Sequence, residues 1–290
     1  MTSLNDDWMG RLAPHPPKRP APSASKAGRN LPQAIATAVI LLAIVWASLF
    51  LWSEGFLFLV IAFLVVGLWE AAGAFSARQV YIPLAPLWIG SIAMAVSTWL
   101  WEDAGLLISF FIASLAVVAL RVRRADMWAR RDAAAAMFAL AWIGLLGGFS
   151  LLLAQLPNGP WAVVTFVVLP VANDTGGYFA GILAGRHPIA PTISPKKSWE
   201  GFAGSVVLAT AVGVVCSHFA LDIDFWWGFV LGIACAIGAT CGDLAESLLK
   251  RDLGVKDMGS IFPGHGGVLD RVDSILVCAP IVYLILLLAM

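Results

Sequence analysis

Long apolar runs separated by short polar breaks fill the chain from residue 33 onward. Each run is close to the ~20 residues that a helix needs to cross the hydrocarbon of a bilayer. The runs are continuous rather than alternating, which favours helices over a β-barrel. The pattern predicts an all-α polytopic membrane protein with about nine transmembrane helices. The predicted spans are 33–52, 56–76, 83–101, 104–120, 134–155, 160–182, 201–219, 226–249 and 272–290.

Composition indicates that lipid is the main solvent of the chain. Of the 290 residues, 60% are hydrophobic and 12% are charged, whereas soluble domains average about 45–50% and about 25%. The mean hydropathy is +0.86. The formal net charge is zero, which predicts no nucleic-acid partner. Residues 1–32 are rich in proline, alanine, serine and basic side chains, and we interpret them as a disordered cytosolic tail.

The basic residues indicate which loops face the cytosol. With a cytosolic N-terminus, all 18 Lys and Arg fall in the tail or in loops 77–82, 121–133, 183–200 and 250–271. The charged residues of the opposite loops are all acidic. This segregation predicts a multi-pass protein of the cell's inner (cytoplasmic) membrane, with its active site facing the cytosol. It divides the chain into N-terminal helices over 33–155 and a catalytic membrane region over 156–290.

Four carboxylates stand out well inside the predicted spans, namely Glu70, Asp174, Asp243 and Glu246. A charged group at mid-span costs roughly 2.5–3.5 kcal/mol on insertion scales, so such residues usually have a function. All four fall in the cytosolic halves of their helices, which predicts that they surround a cavity open to the cytosol. The alternative is that they form ion pairs or hydrogen bonds that only fix helix packing.

The predicted loop 250–271 concentrates charge and glycine. Its turn at 262–267 has bare backbone N–H groups that could approach an anion closely. Asp270 and Asp273 are three residues apart and therefore share one helix face. Together with Asp243 they form an oxygen-rich set suited to Mg²⁺, which prefers carboxylates and substrate phosphates. Helix capping is the alternative role for the two C-terminal aspartates.

The predicted loop 183–200 brings two lysines, Lys196 and Lys197, next to Ser198 and Trp199. Lysine binds phosphate as a point charge, and a serine hydroxyl adds a hydrogen bond. Ordinary basic residues of a cytosolic loop with an interfacial tryptophan are the alternative. The chain has no P-loop, dinucleotide-binding or nucleophile-elbow motif.

The C-terminal stretch is similar to a known family signature. Residues 247–273, SLLKRDLGVKDMGSIFPGHGGVLDRVD, resemble that of the phosphatidate cytidylyltransferases, also called CDP-diacylglycerol synthases. Two upstream pieces, NDTGGY at 173–178 and SPKKSWEG at 194–201, also resemble the family. Gly177 and Ser198 replace its usual Ala and Thr. Pro188 and Thr192 stand where relatives often carry Lys or Arg, which leaves this loop with less positive charge.

The resemblance implies transfer of CMP from CTP to phosphatidic acid, which gives CDP-diacylglycerol and pyrophosphate for phospholipid biosynthesis. The expected cofactor is Mg²⁺, and a second metal ion and a homodimer are left open. The predicted catalytic residues are Asp243, Asp270, Lys250, Arg251, Lys256 and Arg271. The predicted nucleotide-binding residues are Lys196, Lys197, Ser198, Gly264, His265, Gly266 and Gly267. The predicted metal ligands are Asp243, Asp270 and Asp273, with Asp174 and Glu246 beside the metal.

Two other functions remain as alternatives. A CTP-dependent polyprenol kinase-like enzyme would transfer the terminal phosphate to an alcohol and would need a base for its proton. The complete C-terminal signature argues against it. An ion-coupled membrane transporter would use the intramembrane acids as an ion path. Transporters often contain an internal repeat, and the sequence shows none.

Overall fold

A computed structural model describes residues 14, 16, 31–52, 54–122, 128–259, 261 and 266–290. Nearly all of these residues are helical. The predicted tail 1–32 lies outside the described residues except for positions 14, 16, 31 and 32. The helices are α1 Leu31–Phe50, α2 Gly55–Ser76, α3 Leu84–Val122, α4 Ala129–Ala139, α5 Leu146–Gln155, α6 Gly159–Ala184, α7 Trp199–Phe219, α8 Phe225–Leu253 and α9 Leu269–Ala289. A π-helical segment, Leu140–Leu145, joins α4 to α5.

The described residues contain seven helices that are long and apolar enough to cross a membrane. Large hydrophobic side chains lie on their outer faces; Phe111 is 63% exposed and Leu183 is 83% exposed. Apolar surfaces of this kind suit contact with lipid. The fold class is therefore confirmed as an all-α polytopic membrane protein. The number of crossings and the cytosolic N-terminus stay predictions.

Helix α3 reverses direction at Trp101 and Glu102, whose backbone angles are not helical. The Ser97 hydroxyl donates to the Gly105 carbonyl at 3.0 Å. In a straight helix, residues eight apart would lie about 12 Å apart. The two arms of α3 therefore run antiparallel, and they correspond to the predicted spans 83–101 and 104–120.

Helices α6, α7 and α8 pack closely because glycines line their contacts. A Cβ atom built on Gly204 would lie 2.7 Å from the Gly176 carbonyl oxygen and would also overlap Ala180. Gly213 and Gly228 form a similar contact between α7 and α8. Small residues allow such close backbone approach in membrane helices. These contacts fix the three helices that carry much of the candidate site.

We expect Gly204→Ala to destabilise the protein by about 1–3 kcal/mol, the usual cost of overpacking. The control is Gly181→Ala, because a Cβ there would have only ordinary contacts, at 3.7 and 3.9 Å. Both variants gain the same helix propensity from alanine. Thermal unfolding in detergent should show a lower melting temperature for Gly204→Ala alone. Equal melting temperatures for the two variants would contradict the packing argument.

The predicted loop 183–200 contains a small β-hairpin that the sequence interpretation missed. Strands β1 Pro188–Ala190 and β2 Ser194–Ser198 pair antiparallel, with Pro188 opposite Ser198. Helix α7 begins directly after β2. The Ser198 hydroxyl caps it by accepting the Gly201 N–H at 3.1 Å.

The predicted loops 183–200 and 250–271 are both shorter in the structure. The first is bounded by the end of α6 at Ala184 and the start of α7 at Trp199. Helix α8 continues through Lys250 and Arg251 to Leu253, and Gly254 ends it with a left-handed φ of 72°. Helix α9 begins at Leu269, so Asp270 and Arg271 lie in its first turn. Hydropathy ends a predicted span where charged residues begin, whereas the hydrogen-bonded helix continues through them.

Candidate active site

A cavity of about 250 Å³ lies between α6, α7, α8 and the β-hairpin. Two of the pieces noted in the sequence meet there, since α6 contributes Asp174 and the hairpin contributes Lys196 and Lys197. Asp243 of α8 joins them. The remaining lining residues are Asn173, Gly177, Tyr178, Ile189, Ser198, Gly201, Phe202, Ser205 and Thr240. The cavity thus combines carboxylates, ammonium groups and an aromatic ring.

The closest charge pair of this cavity joins Lys197 to Asp243. The Lys197 ammonium lies 2.5 Å from Asp243 Oδ2, and the two side chains are 24% and 32% exposed. The Ser247 hydroxyl donates to Asp243 Oδ1 at 3.3 Å. Both side chains stay open to solvent, so both could exchange this pairing for a bound anion or cation.

Asp174 stands next to the same pair. The Asn173 amide donates to Asp174 Oδ1 at 3.0 Å, and Asp174 interacts electrostatically with Asp243, Asp273 and Lys197. Carboxylates from α6, α8 and α9 therefore approach one another. Such an arrangement repels itself unless cations hold it together.

Lys250 forms a second charge cluster near the C-terminal end of α8. Its ammonium donates to Glu246 Oε2 at 2.5 Å and to Asp270 Oδ1 at 3.1 Å. The Glu246 side chain is fully buried, and its Oε1 atom has no hydrogen-bond partner among the described residues. Asp273 is an electrostatic neighbour of Glu246. Glu246 and Lys250 of α8 thus meet the first turn of α9.

Asp270 organises the loop between α8 and α9. Its carboxylate accepts the backbone N–H groups of Met258 at 2.9 Å and Gly267 at 2.8 Å, and that of Gly259 at 3.4 Å. Its side chain is 5% exposed. A Cβ atom on Gly266, whose φ is 80°, would lie 2.9 Å from Asp270 Oδ2. The backbone of Gly266 and Gly267 therefore packs around a carboxylate of the protein itself.

The other predicted residues are not all part of these two clusters. Lys196 borders the cavity and is exposed, whereas Arg251, Lys256 and Arg271 are exposed and are not among the cavity-lining residues. Gly264 and His265 lie outside the described residues.

The prediction that all four intramembrane carboxylates surround one cavity is wrong for Glu70 and Glu246. Only Asp174 and Asp243 line the cavity. Glu246 is buried against Lys250. Glu70 instead accepts the backbone N–H groups of Val268 and Leu269, at 3.0 and 2.9 Å. The sequence marked Glu70 as unusual but could not identify a partner almost two hundred residues away.

The donor chemistry of the two clusters fits a hard divalent cation. Asp243, Glu246 and Asp273 offer carboxylate oxygens, and Glu246 Oε1 has no hydrogen-bond partner among the described residues. Within the described ranges, however, no three His, Cys, Asp or Glu side chains are already grouped as a metal site. Ammonium groups stand beside these carboxylates instead, Lys197 at Asp243 and Lys250 at Glu246. The ligand assignment therefore stays a prediction.

A sequence model described as the cytidylyltransferase family matches residues 32–289. The chain belongs to this family. A phosphatidate cytidylyltransferase from Mycobacterium bovis is 34% identical over 98% of this chain and 98% of its own length. One from Mycobacterium leprae is 35% identical over 90% of this chain and 89% of its own. One from Haemophilus influenzae is 28% identical over 86% of this chain and 96% of its own.

Membership makes this cytidylyltransferase a nucleotidyltransferase of the membrane, which confirms the predicted enzyme class and the family resemblance. Neither the kinase nor the transporter alternative is favoured. The sequence predicted a cavity among the carboxylates but not the aromatic residues that line it. Tyr178 and Phe202 border it, but aromatic residues within apolar spans carry no signal that separates them from lipid-facing ones.

Proposed function

We propose that this enzyme transfers the CMP unit of CTP to phosphatidic acid and releases pyrophosphate. The observation that carries the proposal is the cavity where Lys196 and Lys197 meet Asp174 and Asp243 among membrane helices. The full-length similarity to proteins named phosphatidate cytidylyltransferase supports it. The site faces the cytosol of a bacterial cell and lies in its inner membrane, where water-soluble CTP reaches it.

In the proposed reaction, an oxygen of the lipid phosphate forms a bond to the α-phosphorus of CTP. The bond from that phosphorus to the bridging oxygen of the β-phosphate breaks, and its electron pair leaves with pyrophosphate. A phosphomonoester has a second pKa of about 6, so the lipid phosphate is already an anionic nucleophile near neutral pH. No strong general base is needed. The protein must instead neutralise and align two anions that repel each other.

The lysines of the cavity supply part of that neutralisation. Lys197 lies close to Asp243. When Asp243 binds a cation, Lys197 would be released from this pair and would bind a substrate phosphate. Lys196 stands exposed beside it, with Ser198 at the cap of α7. Lys250, Arg251, Lys256 and Arg271 would extend the positive field toward the loop, and the turn with Gly266 and Gly267 would approach the nucleotide.

Mg²⁺ would be held by Asp243 and Asp273. Asp270 is the third candidate ligand, since its carboxylate and that of Glu246 both pair with Lys250. When bound, the ion would neutralise charge on the transferring and departing phosphates. The lipid would approach along α6, where Tyr178 borders the cavity and the neighbouring Phe179 and Ile182 are 60% and 64% exposed. Its acyl chains would remain in the hydrocarbon.

The proposal is tested with purified protein, phosphatidic acid and CTP labelled either on the α- or on the γ-phosphate. We expect the lipid product to retain the α-label and to lack the γ-label. Transfer of the γ-label would instead support the kinase. The reaction is run in detergent, where no ion gradient exists, so any labelled lipid also rules out a transporter as the sole function. Absence of both labels from lipid would refute the proposed function.

Metal removal should silence the enzyme. Chelation of divalent ions is expected to lower turnover by at least about 10³-fold, because removal of even one charge-stabilising donor costs 10²–10³-fold in other enzymes. Mg²⁺ should restore activity, whereas Zn²⁺, which prefers tetrahedral nitrogen and sulfur ligands, should not. Initial rates after dialysis against each ion measure this. Full activity in the chelated enzyme would exclude a catalytic cation.

A further inference from the structure

Helix α9 has no side-chain cap of its own. Its N-cap residue is Val268, which cannot accept a hydrogen bond through its side chain. The first N–H groups of a helix need acceptors from elsewhere, and a negative charge is favourable there. Glu70, from the middle of the chain's second helix, supplies both oxygens to Val268 and Leu269. Glu70 is 1% exposed, so this is a buried contact between distant parts of the chain.

The loop packs tightly on the same carboxylate. A Cβ atom on Gly267 would lie 2.5 Å from both Glu70 oxygens, and one on Gly259 would overlap the carboxylate. Gly259 and Gly267 also donate backbone N–H groups to Asp270. The two sides of the loop therefore meet between Glu70 and Asp270. The position of Glu70 determines where the first turn of α9 can lie.

The other end of the loop is held by the same part of the chain. Arg78 follows Glu70 by eight residues, and its Nε donates to the carbonyl of Asp252 at 3.0 Å, in the last turn of α8. The guanidinium also packs against Gly254, which ends α8. A Cβ atom built on Gly254 would lie 3.4 Å from Arg78 Nη2. A cation is favourable at a helix C-terminus, where carbonyl groups lack partners.

The segment that carries Arg78 is itself fixed. The Arg121 guanidinium donates to the Tyr81 carbonyl, and the Tyr81 N–H donates to Asp132 Oδ1 at 3.2 Å. Arg121 and Asp132 form an ion pair at 3.6 Å with side chains only 9% exposed. The segment that carries Arg78 is thus held by contacts to α3 and α4.

From these contacts we infer that Glu70 and Arg78 are positioning residues that clamp both ends of the loop between α8 and α9. The N-terminal helices would then contribute to catalysis by holding Lys250, Asp270 and Asp273 in register. This inference rests on the proposed function, because that function places these residues at the reacting phosphates. Misplacement of reacting groups by about 1 Å can cost about 100-fold in rate.

The test compares Glu70→Gln and Arg78→Gln in the full-length protein with matched controls, Asp103→Asn and Arg130→Gln. Asp103 and Arg130 are exposed, and each control removes the same charge as the variant that it accompanies. Glutamine at position 70 keeps one acceptor oxygen but turns an NH₂ group toward the other of the two backbone N–H donors. We expect kcat per folded molecule to fall by about 100-fold in Glu70→Gln, with a smaller fall in Arg78→Gln and none in the controls.

Hydrogen–deuterium exchange provides a readout that does not depend on activity. Peptides covering 266–269 should exchange about tenfold faster in Glu70→Gln, the size of effect expected for a lost helix cap. Peptides covering 252–259 should exchange faster in Arg78→Gln, and those of α6 and α7 should not change in either variant. Arg78 is exposed, so its variant tests the clamp even where Glu70→Gln does not accumulate.

A lower melting temperature with unchanged kcat per folded molecule would reduce both residues to structural ones and overturn the inference. Wild-type exchange of both loop ends in the variants would overturn it as well. A third outcome is that the wild type forms no CDP-lipid while the variants still exchange faster. That result would keep the clamp but reject the function assigned to the loop.

Discussion

Replacement of Asp270 by asparagine is expected to lower nucleotidyl transfer by roughly 10³-fold, the upper range for loss of one charge-stabilising group. The Asp270 carboxylate holds Lys250 and accepts three backbone N–H groups of the loop. Asparagine would keep one oxygen but would turn an NH₂ group toward these donors. Loss of a hydrogen bond to a charged group typically costs about 1.5–3 kcal/mol, so the loop should also loosen. Steady-state turnover and melting temperature in detergent measure the two effects.

The matched control for this variant is Asp252→Asn. Asp252 lies near the same loop, but its side chain is exposed and it is its backbone carbonyl that Arg78 contacts. Near-normal activity is expected there. If Asp270→Asn also kept near-normal turnover, both the metal-ligand assignment and the loop-organising role of Asp270 would be refuted.

Asp243→Asn should produce a loss of similar size with a smaller effect on stability. Asp243 borders the cavity, is 32% exposed and pairs with Lys197. Its removal would leave Lys197 solvated rather than buried without a partner, so folding should be nearly unaffected. Turnover should nevertheless fall by roughly 10³-fold, because the variant lacks a carboxylate oxygen for the cation that offsets phosphate charge.

Asp224→Asn tests the same helix at its opposite end. Asp224 is exposed and makes no side-chain cap to α8, so its variant should retain wild-type kcat. The double variant Asp243→Asn with Lys197→Met should lose less than the sum of the two single effects, because contacting residues are coupled. Strict additivity would show that the ion pair does not act as a unit.

Hydropathy was sufficient to predict the helical architecture. Each predicted span overlaps a described helix, and even the separation of 83–101 from 104–120 is reflected in the reversal at Trp101 and Glu102. Burial in lipid forces the backbone into helices, so long apolar runs identify them directly. The ends were less accurate because α8 and α9 continue through charged residues, so that a change in hydropathy does not mark the end of the helix.

The candidate site was predictable in its residue types but not in its pairings. The motifs around Asp174, Lys197 and Asp243 do meet at one cavity. No motif indicated that Asp270 would accept three loop N–H groups, or that Glu70 would cap α9. Such contacts depend on which distant helices are neighbours, and periodicity along one helix contains no information about that.

We expect carboxylates of α8 and α9 to bind one divalent ion beside the cavity lysines. Crystals of the full chain grown with Mn²⁺ and CTP would locate that ion by anomalous scattering. We predict a manganese peak coordinated by Asp243 and by Asp273 or Asp270, next to the nucleotide phosphates. If the enzyme turns over with Mn²⁺ but the manganese peak lies away from these carboxylates, the shared metal site is refuted.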